Sequence, residues 1–301
     1  MIYTIGETVL DILFKNNQPI ASKAGGSALN TAISLAQLGN KVSFISEIGD
    51  DETGRFCEDF LEMNNVNTQF LTKNISYKSS IALAFLNQNN DATYTFYKDL
   101  PEIFTCKNIS FRSNDIVLFS SSFAISKRAR VALLKIIHDA QSQNAIIMYD
   151  PNMRKKLMDN SFEKEYIFEN FSKAHIVRAS DEDCVNIFNS TNFMEIYSQL
   201  QKLGVAVLII TKNSGAVEVF AQNLHLQFTV PKINPISTIG AGDTCNAGII
   251  HKIHELGISA AQISMISKEA WDLIIPFSIA CSSKVCMSLE NYLQPQDIQD
   301  L

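Results

Sequence analysis

Short apolar runs alternate along the chain with stretches whose apolar positions recur at three- and four-residue spacing. Residues 2–6, 42–48, 116–119, 145–149, 175–177 and 205–211 read as buried strands. Residues 28–38 predict a helix, with Leu29, Ile33 and Ala36 at helical spacing, Ser27 as its cap and Gly39 as its stop. Residues 53–63, 126–142, 181–188 and 193–203 predict further helices, and beyond Val230 the pattern turns helical over 240–255 and 262–287. Strands alternating with helices predict an α/β fold, a mainly parallel sheet covered on both faces.

Two segments break this rhythm. Residues 11–23 are polar around a Lys15-Asn16-Asn17-Gln18-Pro19 turn. Residues 77–98 read as a hairpin: 79–87, a Gln88-Asn89-Asn90-Asp91 turn, then 92–98, with Ile81, Leu83, Phe85, Tyr94 and Phe96 alternating. These insertions predict a small separate β-sheet (11–23 and 77–98) on a core made of 1–10, 24–76 and 99–301.

Composition narrows the classes. Of 301 residues, 46% are apolar and 19% charged, enough to build a core and too apolar for disorder. The net charge of −6 and the lack of basic runs argue against nucleic acid as a main partner. No run approaches ~18 apolar residues, so no membrane partner is expected. The opening residues have no basic n-region, and the six cysteines include no C-x-x-C pair. Free thiols in the cytoplasm are therefore expected.

The strongest candidate for chemistry is Gly240-Ala241-Gly242-Asp243, a small-residue turn running into a helix. Amides at a helix N-terminus favour an anion, and the adjacent Asp243 could take a hydroxyl proton, a pairing suited to phosphoryl transfer. The alternative is a plain glycine turn with Asp243 as helix cap. No G-x-x-x-x-G-K-[ST] occurs, and Cys245 interrupts the dinucleotide fingerprint. Gly25-Gly26 precede a helix carrying Asn30, which could bind hydroxyls, as could Asp11; a surface turn is the alternative for each. Asp150-Pro151-Asn152-Met153-Arg154 follows a buried strand, where α/β sheets bind ligands, and Arg154 suits a phosphate. Ser180-Asp181-Glu182-Asp183 either approaches Mg2+ through water or caps the next helix.

Taken in order, Asp11, Gly25-Gly26-x-x-x-Asn30, Gly49-Asp50-Asp51-Glu52-x-Gly54, Asp150-x-Asn152-x-Arg154 and Gly240-Ala241-Gly242-Asp243 resemble the ribokinase-like (PfkB) carbohydrate kinases over essentially the whole chain. Gly6-Glu7, the D-x-N-x-R motif and Thr95-Phe96-Tyr97 resemble the fructokinase branch. The resemblance implies a three-layer α/β/α sandwich with a β-sheet lid, and the use of ATP and Mg2+. It implies Asp243 as base, with Gly240, Ala241 and Gly242 as the anion hole and Arg154 near the transferred phosphate or the substrate. Asp11, Gly25, Gly26 and Asn30 would hold the sugar, with Phe96 packing on it from the lid. Ser180, Thr211, Asn213 and Gly215, with Gly240 and Gly242, would contact the nucleotide, and Asp183 the metal. Relatives often dimerise through the lid.

The chain departs from the family's D-T-T-G-A-G-D at Ser237 and Ile239, from N-x-x-E at Ser180 and Asp183, and from the T-x-G-x-x-G loop at Thr211–Gly215. Many relatives hold a monovalent cation with the first Asp and second Thr of D-T-T-G-A-G-D. Ser237 and Ile239 offer no such carboxylate or second hydroxyl, although Glu290 carries a charge nearby in the expected second loop. The expected activity is ATP-dependent phosphorylation of the 6-hydroxyl of fructose. Alternatives are a 2-keto-3-deoxygluconate kinase, which would need a lid cation such as Lys98, and a non-catalytic ligand binder.

Overall fold

The computed structural model describes residues 1–86, 92–153, 156–157, 161–212, 215–222 and 224–301. β1 (Ile2–Ile5), β2 (Val9–Lys15) and β3 (Gln18–Gly25) precede α1 (Ser27–Gln37). Then come β4 (Val42–Gly49), α2 (Glu52–Met63), β5 (Val66–Asn74), β6 (Ile81–Leu86) and β7 (Ala92–Tyr97). β8 (Ile116–Ser120), α3 (Arg130–Ser142), β9 (Ile146–Asp150), α4 (Phe162–Phe171), β10 (Ile176–Ser180), α5 (Asp181–Phe188), α6 (Phe193–Lys202) and β11 (Val207–Lys212) continue the alternation. β12 (Ala216–Ala221), β13 (Leu224–Thr229), α7 (Ala241–Glu255) and α8 (Lys268–Cys286) complete it.

The main sheet has the order β13-β12-β11-β10-β9-β8-β1-β4-β5. All its pairs are parallel except the β11–β12–β13 edge. A parallel strand is covered on both faces, so its apolar run need not alternate with polar residues. In β9, Ile146 and Met148 join the cluster with α1, α7 and α8, while Ile147 and Tyr149 join the cluster with α3 to α6. The result is the three-layer α/β/α sandwich.

The second sheet has the order β3-β2-β6-β7. Its register sets Asp11 opposite both Lys23 and Ala82, and Ala82 opposite Phe96, so these four share one face. The other face carries Leu10, Ile12, Phe14, Ile81, Leu83 and Phe85, with Phe14 stacked on Phe85 at 5.0 Å. The second insertion is pinned to the core by Asp51. Its carboxylate accepts from Ser79 N (3.0 Å), Ser79 Oγ (2.7 Å) and Gly54 N (2.8 Å), and Ser79 Oγ accepts from Gly49 N. The Gly49-x-Asp51-x-x-Gly54 pattern therefore fixes where the second sheet leaves the first.

Several expectations need correction. Gly26, not Ser27, is the cap position of α1; Ser27 is its first residue, and its hydroxyl points elsewhere. The helix expected from residue 126 starts at Arg130, after a 3-10 turn over Ser122–Ile125. The stretch 262–287 is broken at Ile266, because Ser267 caps α8 by accepting from Ala270 N. β5, β12, β13 and α4 went unpredicted. The Gln88-Asn89-Asn90-Asp91 turn lies outside the described residues.

Candidate active site

The carboxyl ends of β8, β9, β10 and β11 line up through the pairings Ser120 with Asp150 and Ser180 with Thr211. Open α/β sheets bind ligands at this edge, and β1, with neighbours β8 and β4 fed from opposite directions, marks the switch in strand order. The N-terminus of α7 arrives at the same edge.

Two glycines make its first turn possible. Gly240 adopts φ +83°, and a Cβ there would fall 2.0 Å from the Asn291 carbonyl oxygen. A Cβ on Gly242 would fall 2.7 Å from Arg178 Nη1. First-turn amides have no intrahelical acceptor and can face an anion. Of the expected anion hole, the Ala241 N–H already donates to Thr238 O at 3.3 Å, so the free capacity lies with the amides that follow it.

Asp243 is buried in this turn. Its Oδ1 accepts from Ser27 Oγ (2.6 Å), its Oδ2 from Asn30 Nδ2 (2.8 Å), and its carbonyl from Thr31 Oγ1 (3.0 Å). Residues 27, 30 and 31 lie on one face of α1 by helical spacing. Burial raises the Asp243 carboxyl to about 6, against the pull of the Ser27 and Asn30 hydrogen bonds. Among the described residues Asn30 Oδ1 is buried with no partner, an acceptor beside the carboxylate. Geometry thus turns Ser27 from an expected cap into a donor to Asp243.

Asp11 lies against the Gly25 backbone, since a Cβ on Gly25 would meet its Oδ2 at 2.4 Å. Gly26 links that strand to α1. Phe96 is half-exposed on Asp11's face of the second sheet, and Lys98 Nζ sits 5.4 Å over its ring. Lys98 also pairs with Glu7 at 2.7 Å, so its charge is already matched.

Beneath the turn runs a network that sequence reasoning caught only in part. Asp150 Oδ2 accepts from Arg178 Nη1 (3.0 Å) and Asn246 Nδ2 (2.7 Å), and its Oδ1 accepts from Asn152 N (3.0 Å). Arg178 Nη2 donates to Thr211 Oγ1 at 2.5 Å, at the start of the expected nucleotide loop. Gly215 closes that loop with its N–H on Lys212 O. Arg178 was missed; its signal was a lone cation inside the apolar run Ile176-Val177-Arg178-Ala179. Asn246 was missed too, one turn beyond Asp243. Arg154 and Asn213 lie outside the described residues.

Asp183 is not an open metal position. Ser180 and Asp183 form a capping box at α5, and Asp183 also accepts from Met153 N at 2.5 Å. Both carboxylate oxygens are thus occupied by protein donors, and the Ser180 hydroxyl is committed to the same cap. Among the described residues no group of three or more His, Cys, Asp or Glu side chains could hold a metal ion. At the expected cation site, Ser237 Oγ accepts from Ile239 N, and Glu290 is paired with Lys23 at 3.1 Å while Lys23 also donates to Leu289 O. Also among the described residues, no helix is long and apolar enough to cross a membrane.

Residues 2–264 match the model of the pfkB family carbohydrate kinases. A fructokinase from Vibrio alginolyticus is 24% identical over 254 residues, covering 83% of this chain and 82% of that protein. An aminoimidazole riboside kinase from Salmonella typhimurium is 23% identical, covering 83% and 79%. Among solved structures, the fructokinase from Xylella fastidiosa with bound ATP matches with TM-score 0.86 at 20% identity, covering 99% of this chain and 97% of that one. With the family model spanning most of the chain, the protein belongs to the pfkB family of carbohydrate kinases, phosphotransferases that use ATP and act on sugar hydroxyls.

Proposed function

We propose that the chain phosphorylates the 6-hydroxyl of fructose, with Asp243 as general base. The observation that carries this is a buried carboxylate on the first turn of α7, held by Ser27 and Asn30 and raised to about 6. In this reading the fructose hydroxyl gives its proton to Asp243 as its oxygen bonds to the γ-phosphorus, and the bond to the departing ADP oxygen breaks. The Gly240–Gly242 turn supports the phosphoryl charge, and Arg154 is assigned the transferred phosphate by its motif alone. Asp11, Gly25, Gly26 and the unpartnered Asn30 Oδ1 hold sugar hydroxyls. Phe96 packs on the ring from the second sheet, which acts as a lid and excludes water. Thr211, Asn213 and Gly215 border the nucleotide. Asp183 does not fit as a direct Mg2+ ligand, and none of these steps passes through the metal.

Pairing of Lys98 with Glu7 weighs against a sugar-acid substrate, which would need a free cation at the lid. The apolar face bearing Phe14, Leu83 and Phe85 suits a homodimer through the lid, and six free thiols suit a cytoplasmic enzyme. The test is ADP release over a panel of hexoses, sugar acids and ribosides. Fructose is expected to give the highest kcat/KM; a riboside or sugar acid ahead of it would replace the substrate assignment.

The cation site yields a separate expectation. Glu290 is matched by Lys23 and Ile239 has no side-chain oxygen, so a hard cation lacks charged ligands there. Initial rates titrated with KCl against an organic cation at matched ionic strength should change less than about threefold. A rise above about tenfold, roughly 1.4 kcal/mol, would show a working cation site.

A further inference from the structure

Arg178 is a buried guanidinium in the middle layer of the sandwich, and nothing in the reading above uses it. Burying a cation is costly unless it is paired and hydrogen-bonded. Arg178 has one carboxylate partner, Asp150, at 3.0 Å. Its other hydrogen bond goes to the neutral hydroxyl of Thr211, and among the described residues its buried Nε has no partner. A purely structural ion pair would satisfy that donor. The guanidinium also lies flush against Gly242, whose absent Cβ would sit 2.7, 3.0 and 3.2 Å from Nη1, Nη2 and Cζ. One planar group therefore touches the anion turn, the end of β9 and the end of β11.

Charge makes the placement significant. Asp150 and Asp183 act on Arg178, and Asp150 also acts on Asp243 in the turn, where a nucleotide triphosphate would bring more negative charge. Arg178 acts electrostatically on Asp243 and on Asp183, favouring the charged form of each. Arginine suits such a role, being always charged and able to fork between two acceptors.

We propose that Arg178 is a positioning residue for phosphoryl transfer, a fixed cation that sets the Gly240–Gly242 turn and the Thr211 end of the nucleotide loop in one frame and offsets the carboxylates around them. It rests on the reading of Asp243 and the anion turn given above. Arg178 reaches the nucleotide through Thr211 and the turn rather than by touching the sugar. Its loss should therefore appear in nucleotide KM and kcat, with sugar KM little changed.

Two variants separate its charge from its fork. Arg178→Lys keeps the charge on Asp150 but cannot also reach Thr211. Nucleotide KM should rise about tenfold, the scale of one lost charge-assisted hydrogen bond, with sugar KM within about twofold. The acid limb of kcat/KM should stay where it is. Arg178→Gln removes the charge as well. Its kcat should fall at least about tenfold below that of Arg178→Lys, and the acid limb should move to higher pH. Among the described residues the groups facing Asp243 are Ser27, Asn30 and Thr31 from α1, Asp150 from β9 and Arg178 from β10, so losing the cation among them raises the carboxyl. If Arg178→Gln does not fold, Arg178→Lys decides alone. Unchanged nucleotide KM and kcat in Arg178→Lys would overturn the proposal, as would an equal rise in sugar and nucleotide KM. Asp243→Asn run beside them keeps the two readings apart: an active Asp243→Asn removes the reading of the site, whereas an inactive one with normal Arg178 variants removes only this proposal.

Discussion

Asp243→Asn should lower kcat by at least ~10² while leaving sugar KM within about threefold, because the amide keeps the shape of the carboxylate but cannot accept the hydroxyl proton. The same substitution should not weaken the fold. Burial raises the Asp243 carboxyl from 3.8 to about 6, so the folded chain binds this proton more tightly than the unfolded chain does. Stability contributed by the group is then present below the unfolded value and lost as pH rises through about 6. At pH 7 the charged form costs about 3 kcal/mol, from ~1.4 kcal/mol for each unit. Asparagine carries no such cost: its Nδ2 can donate to Ser27 Oγ while its Oδ1 still accepts from Asn30 Nδ2, so Asn30 keeps its orientation. Thermal melts should show a higher Tm for the variant at pH 7.5 and a smaller gain at pH 4.5. In the unmodified enzyme, kcat/KM should rise with pH through an acid limb near 6. A variant with most of its kcat, or an acid limb near 4, would remove Asp243 as the base.

The second large effect is expected at Gly240. Its φ of +83° costs an L-residue roughly 1–2 kcal/mol, and an added Cβ meets the Asn291 carbonyl at 2.0 Å, a backbone atom that cannot swing aside. The turn must shift, and its amides shift with it. Loss of one preorganised donor costs ~10²–10³ in kcat, so Gly240→Ala should lose at least ~10² in kcat/KM. Gly39→Ala is the matched control. Gly39 has φ +80° and open space where a Cβ would point, so that variant should show the conformational penalty in Tm and full activity. Wild-type kcat/KM in Gly240→Ala would mean that the turn's position does not matter to the reaction.

Much of the architecture could be read from residue order. Buried parallel strands such as Ile146–Asp150 announce themselves as apolar runs, and the insertions stand out because they break the alternation. β5 did not, since only Val66, Phe70 and Leu71 of its nine residues are buried and its register slips against β4. α4 hid for a similar reason, burying only Ile167, Asn170 and Phe171. In the site, glycines and acids at motif spacing were legible because local backbone conformation dictates them. Ser27, Arg178 and Asn246 were not, since each acquires its partner only when distant strands and helices are packed together. Asp183 shows the converse: its position in a four-residue motif was clear, but the donor from Met153 that occupies it could not be seen in the sequence.

The bonds from α1 to Asp243 join positions 216 and 213 residues apart in the chain. Closing a loop that long costs on the order of 5 kcal/mol in entropy, more than two hydrogen bonds return. These bonds cannot organise the chain by themselves; the sheet and the α1–α7 packing must already be in place. The order of events during synthesis follows. Strands β1 to β11 can be made and begin to pair well before α7 exists, and throughout that time Ser27 and Asn30 have no carboxylate to hold. With Asp243 as the base proposed above, catalytic competence is therefore acquired last: a nascent or truncated chain that ends before α7 lacks the carboxylate that Ser27 and Asn30 hold.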